Sequence, residues 1–400
     1  MVTTVSDVRA AGATAVAAAV GRAERLVSLD VIRGLVMVLM AIDHVRVYSG
    51  QPAGGPAVGI FFTRWVTHFC APAFAFLAGT GAYLSGRRRS SQDLAWHLLT
   101  RGAWLILLEM TVIRFAWTFN FDYSHYVLFG VIWMLGVCMI LLAGLVRARL
   151  SIMAIAIIGL VVIFAQDLVR PLAQAGPAAA GPLWQFLYFG GVIWIGGEGG
   201  TALGVLYSII PWIGVMAAGY AFGAIMTRDA AARHRACLWI GLSATALFVV
   251  IAGAFVLLQP GGNAPAFVRF LNQRKYPASQ LFLLMTLGPT IALIPLAERA
   301  RGAIGNTLAV FGRVPFFYYL LHIPLIHLAA MVVSLLREGR INPWLFGNHP
   351  FMPPPLPVGY MWSLPLLYLV FVIVIAILYL PCRWFAEKKK SQPGGWLSYF

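Results

Sequence analysis

The chain has 400 residues, 60% of them hydrophobic and 10% charged, with a mean hydropathy of +0.83. Soluble domains carry about 25% charged residues, so a protein soluble throughout is excluded. The formal charge of +16 reads first as membrane topology, because Lys and Arg collect in cytoplasmic loops; no nucleic-acid partner is expected.

Residues 1 to 24 are Ala-rich. Their run TAVAAAV is too weak, and too soon followed by Arg22, Glu24 and Arg25, for a signal peptide. They read as a disordered cytoplasmic tail, with the first apolar run as an uncleaved anchor. Ten apolar runs follow, at roughly 26–48, 60–86, 94–117, 124–146, 150–167, 202–226, 236–258, 279–298, 308–335 and 360–382. The expected class is all-α: a polytopic integral membrane bundle of about ten transmembrane helices, or eleven if 167–201 also crosses. The transmembrane domain is placed at 25–385 and a cytoplasmic tail at 386–400. Taking alternate loops as cytoplasmic puts 18 of the 29 basic residues inside, with both termini cytoplasmic. A bacterial inner membrane is the expected location.

Within 167–201, WQFLYFGGVIWIGG is too short to span. If it did, the later inner loops would hold five basic residues and the outer loops nine, so it reads as re-entrant or interfacial on the outer face. In 337–359 the prolines of NPWLFGNHPFMPPPLP exclude a helix. Cys70, Cys138, Cys237 and Cys382 show neither CxxC nor metal spacing.

Polar groups gather toward the outer ends of the spans. The first run ends in Asp43, His44 and Arg46, and the second begins with Arg64 and His68, one turn apart. The third carries Glu109 and Arg114; Lys275 and Tyr276 precede the eighth; His322 and His327 lie in the ninth. Each charge in lipid costs about 2.5–3.5 kcal/mol on insertion scales, tolerable if the groups meet in one polar cavity. Arg33 and His44 are eleven residues apart, near three helical turns, so they share a face about 16 Å along the axis. Met37 and Met40 lie between them, and Asp30 can pair with Arg33 one turn away. Taken singly, a histidine can be an interhelical hydrogen-bond donor, an arginine can snorkel, and Asp30–Arg33 can be an interfacial pair. These accounts explain poorly the shared depth of the set.

The pattern R-x-x-S-L-D-x-x-R-G-L-x-x-x-L-M-x-x-D-H at 25 to 44 resembles the opening of the heparan-alpha-glucosaminide N-acetyltransferase-like family. Arg, ten intervening residues, then His also looks like the acyltransferase-3 group of one transmembrane acyltransferase superfamily. TRWVTHFCAPAFAFLAGTGAYL (63–84), KYPASQLFLLMTLGP (275–289), FGRVPFFYYLLHIPLIH (311–327) and CRWFAEKKKSQPGGWLSYF (382–400) extend the resemblance over most of 25 to 400. It implies acyl transfer across a membrane, from cytoplasmic acetyl-CoA to a sugar amine or hydroxyl on the far side. In the heparan enzyme the catalytic histidine lies in the loop after the first helix. Here the loop 47–62 has none, and His44 matches the acyltransferase-3 pattern instead.

An imidazole can activate a hydroxyl or amine near neutral pH. His44 is therefore the expected general base, with Asp43 or Glu109 to orient it and His68 and His322 as second candidates. Arg64 or Arg114 could stabilise an oxyanion. Arg33, Arg64, Arg114, Lys275 and Tyr276 are the candidates for holding acyl-CoA, a co-substrate rather than a resident cofactor; no metal site is expected. No G-x-S-x-G occurs, which favours direct transfer. Expected partners are the lipid bilayer, acyl-CoA and an extracytoplasmic glycan or other small acceptor, with a homodimer left open. The rival reading is a transporter or flippase for an anionic solute or lipid-linked precursor, with the arginines as counter-charges.

Overall fold

Peptide groups in lipid have no water to bond, so long apolar runs form helices. The computed structural model describes residues 26–55, 57–175, 180–197, 199–259, 264–347 and 350–392. The tail read at 1–24, and residues 393–400 of the tail read at 386–400, lie outside the described residues. Helix α1 (Val27–Ser49) stops at Gly50, whose φ of 72° is the left-handed conformation that ends helices. α2 (Val58–Gly86) includes a 3-10 turn at Val66–Phe69. α3 runs Ser91–Leu108, widens into a π turn at Glu109–Ile113 and closes as Arg114–Thr118. Strand β1 (Tyr126–Phe129) leads into α4 (Val131–Arg147), then α5 (Ile152–Ala175). Strands β2 (Gly191–Ile195) and β3 (Thr201–Val205) precede α6 (Ile210–Met226), α7 (Ala230–Leu258) and the short α8 (Ala266–Leu271). The chain ends with α9 (Gln280–Glu298), α10 (Ala303–Arg313), α11 (Pro315–Glu338) and α12 (Leu364–Ser391).

Among the described residues, α2, α5, α7, α9, α11 and α12 are long and apolar enough to cross a membrane, and α4 and α6 are shorter apolar helices. The protein is an integral membrane protein of the all-α class. α5, α7 and α12 turn apolar side chains outward, among them Leu160, Val250 and Val372, as lipid contact requires.

Several boundaries differ from the sequence reading. The runs expected at 124–146 and 202–226 begin as strands, β1 and β3, and turn helical only at Val131 and Ile210. The run 308–335 is two helices: Pro315 moves Val314 out of the helical region, to φ −132° and ψ 49°. α12 continues to Ser391, so 386–391 of the tail read at 386–400 are helical. WQFLYFGGVIWIGG forms no long helix; a short π turn at Gln185–Phe189 gives way to β2. β3 pairs antiparallel with β2 and parallel with β1, giving the order β1-β3-β2.

Glycines set the closest helix crossings. A β-carbon on Gly34 of α1 would stand 1.8 Å from the Leu308 carbonyl oxygen of α10, and one on Gly312 of α10 1.8 Å from that of Asp30. Gly79 and Gly219 meet the facing backbones of α6 and α2 in the same reciprocal way, each at 2.0 Å. Without a hydrophobic force between helices in lipid, such approaches supply the packing.

Candidate active site

Two cavities lie along α1. The first, of about 440 Å³, has Arg33, Arg89, Arg101, Arg313 and Lys389 in its lining, together with His97. Met37 and Leu105 contribute to its apolar wall. The second, of about 580 Å³, is lined by Asp43, His44 and Arg46 of α1, Arg64 of α2, Glu109, Tyr207 and Tyr276. Trp344 and prolines of the 350–356 segment close part of it.

His44 of α1 lines the second cavity. Its Nδ1 is 2.6 Å from Nε2 of His322 on α11, and the two rings stack at 4.8 Å between centroids. His322 Nδ1 lies 2.7 Å from the carbonyl oxygen of Tyr319 and 3.2 Å from that of Tyr318. A carbonyl only accepts, so His322 Nδ1 carries a hydrogen, and in the neutral ring its Nε2 holds a lone pair. His44 Nδ1 must then donate, which leaves the lone pair of a neutral His44 on Nε2. Trp117 packs edge-on against His44, centroids 5.1 Å apart. The sequence had offered His322 as an alternative proton carrier; the structure makes it the direct partner of His44.

Asp43 serves other groups. Its Oδ1 accepts from Arg46 Nε at 2.7 Å and lies 3.9 Å from Arg64. Neighbours on a helix point about 100° apart, which sends Asp43 to the arginines and His44 to α11. Arg46 Nη1 also donates to the Gln51 carbonyl, 2.9 Å away, and so fixes the chain after Gly50. Arg64 lines the cavity beside Tyr207 and Tyr276, whose hydroxyls are 3.5 Å apart.

Glu109 is a helix cap. The π turn aims it at the start of α4, where Oε2 accepts from the backbone N–H groups of Ile132 (2.9 Å) and Trp133 (3.0 Å). A carboxylate there answers both unpaired donors and the positive end of the helix dipole. Arg114 is buried and engages Tyr126, Thr118, Asn120 and Asp122. Its guanidinium stacks 3.9 Å from the Tyr126 ring centroid. It ties down the loop from α3 to β1 and does not line either cavity.

Lys275 is buried, its Nζ 5.2 Å from the Tyr276 ring and 5.7 Å from that of Tyr207. His68 is buried against Phe282 and lines a smaller third cavity that shares Arg64. His327 is sandwiched between Tyr48 and Phe119, a packing role. Arg33 lies 3.7 Å from Asp30 and donates to the Leu77 carbonyl at 3.1 Å, so it ties α1 to α2 while still facing its cavity. Arg89, Arg101 and Lys389 fall among the basic residues counted for topology, and Tyr207 and Tyr319 carry no motif that marks them in the sequence.

The model of the heparan-alpha-glucosaminide N-acetyltransferase catalytic family matches residues 25–258. The chain belongs to this family. No curated protein sequence matches it. Family membership makes it a membrane acetyltransferase, and the matched residues carry Arg33, His44, Arg64 and Glu109. His322 and the rest of α11 lie beyond the matched region.

Proposed function

We propose that this chain moves an acyl group, acetyl in the simplest case, from acyl-CoA in the Arg33 cavity to a hydroxyl or amine of an acceptor in the His44 cavity. The observation that carries the reading is the His44–His322 bond, because it leaves a lone pair on His44 Nε2, facing away from its partner. His44 takes the proton from the acceptor as its oxygen or nitrogen attacks the thioester carbonyl. Arg64, the arginine of that cavity held loosely by Asp43, faces the developing oxyanion. The carbon–sulfur bond then breaks, and the CoA thiolate recovers the proton from the His44 imidazolium. Asp43, ion-paired with Arg46, offsets one of the positive charges beside the base.

Arg33, Arg89, Arg101, Arg313 and Lys389 offer charge-assisted bonds to the phosphates of CoA. Their gathering at one end agrees with the positive-inside rule, so that end is cytoplasmic, with both termini on the same side, in a bacterial inner membrane. The acceptor is then an extracytoplasmic glycan or another small molecule. A transporter would use the arginines as counter-charges alone and has no need of an oriented imidazole.

The test is purified protein in liposomes, given labelled acetyl-CoA and a cell-envelope extract. The expected result is label on an acceptor oxygen or nitrogen, with stoichiometric release of CoA. Uptake of an acceptor with no acylated product would replace this reading with the transporter.

A further inference from the structure

Tyr319 is, among the described residues, the single residue common to the linings of both cavities. It is 5% exposed. On α11 it follows Pro315 and Phe316, which line the Arg33 cavity, and precedes His322, which holds the base. Its carbonyl accepts the His322 Nδ1–H bond, and its ring lies 5.1 Å from that of His322, tilted by 59°. On α1, Met37 lines the first cavity and His44 the second. They are seven positions apart, about 10 Å along the helix.

From this placement we infer that Tyr319 is the septum between the two cavities, and that its ring sets the size of the acyl group that reaches His44. The inference rests on the acyl-transfer reading for its chemistry, though not for its geometry. A thioester bound from the Arg33 side must bring its carbonyl past Tyr319 to meet the acceptor. A short acyl group needs little room beside the ring, whereas each added methylene must fit against it. One methylene in an apolar pocket discriminates by roughly 10–200-fold, so a single aromatic wall is enough to choose chain length. The same wall keeps water of the second cavity from the thioester before an acceptor arrives.

The experiment uses the full chain in proteoliposomes, as wild type, Tyr319→Ala and Tyr319→Phe. Release of free CoA thiol is followed from acetyl-CoA and from octanoyl-CoA, with envelope extract as acceptor source. Tyr319→Ala should raise the octanoyl-to-acetyl rate ratio at least about tenfold, and Tyr319→Phe should leave it near wild type. Separately, Ala78→Cys puts a thiol in the Arg33 cavity; the four native cysteines are buried and set the background. A small impermeant thiol reagent applied on the side of the 47–62 loop should label it only when Tyr319 is Ala. An unchanged ratio in an active Tyr319→Ala protein overturns the proposal, whatever the labelling. If no form releases CoA, the labelling decides. Labelling confined to Tyr319→Ala supports the septum while the acyl-transfer reading fails, and no labelling ends both. If Tyr319→Ala does not fold, Tyr319→Leu takes its place with the same expectations.

Discussion

His322 is 278 residues from His44 in the chain, yet their ring nitrogens are 2.6 Å apart. The pair fixes which nitrogen of His44 is basic, and this makes the two histidines unequal. His44→Ala should slow acyl transfer by about 10²–10⁴-fold, the usual contribution of general acid–base catalysis. His322→Ala should also slow it, whereas His322→Gln, whose amide oxygen can still accept from His44 Nδ1–H, should retain more activity than the alanine variant. Single-turnover CoA release by folded protein gives the order. Equal rates for the alanine and glutamine variants would remove the orienting role. The unprotonated ring is the working form, so wild-type rates should be highest above the protonation range of His44 and be lost as pH falls through it.

Arg33 is the test of the donor cavity. Loss of a charge-assisted contact costs about 1.5–3 kcal/mol, which is roughly 10- to 100-fold in affinity. Calorimetry on Arg33→Ala should show acetyl-CoA binding weakened by that factor, and the acceptor less affected. Unchanged CoA affinity in the folded variant would reduce Arg33 to its contacts with Asp30 and Leu77.

The helix crossings predict a contrast between two glycines. Gly34→Ala drives a β-carbon into the Leu308 carbonyl and should destabilise the protein by at least about 1–3 kcal/mol, the range for overpacking. On Gly144 an added β-carbon meets nothing within 4 Å. Gly144→Ala should be neutral or stabilising by about 0.5–1 kcal/mol. Thermal unfolding in one detergent compares them; matching Tm values would show that the α1–α10 crossing yields.

Topology is open to direct labelling. Ala57 and Ser391 are both exposed. In intact cells an impermeant thiol reagent should label Ala57→Cys and spare Ser391→Cys. The reverse pattern would invert the cavities and move the acyl-CoA site outside.

The parts of this molecule written locally were legible in its sequence. The charges at both ends of the first apolar run marked two polar levels on one helix, and those levels are the two cavities. The prolines after Asn342 announced irregular chain. What depends on distant partners was not legible. Nothing in the spacing of FGRVPFFYYLLHIPLIH says that His322, rather than His327, faces His44; that depends on how α11 packs against α1. Glu109 looked catalytic because a carboxylate in an apolar run is costly. Its cost is met by the start of α4, which only the π turn brings within reach. YVLF and TALGV are short apolar runs that periodicity cannot separate from helix, and they became strands because they found each other.

The crossing of α1 and α10 also governs alignment. Gly34 precedes His44 by ten residues, and Gly312 precedes His322 by ten. The two backbones are thus clamped at one level, and the imidazoles meet at another, about 15 Å further along α1. Lengthening α11 by one residue between Pro315 and His322 would turn the second ring about 100° away without touching the clamp. The alignment of the two imidazoles is therefore set at a joint remote from both rings, and damage there would surface as a lost His44–His322 contact.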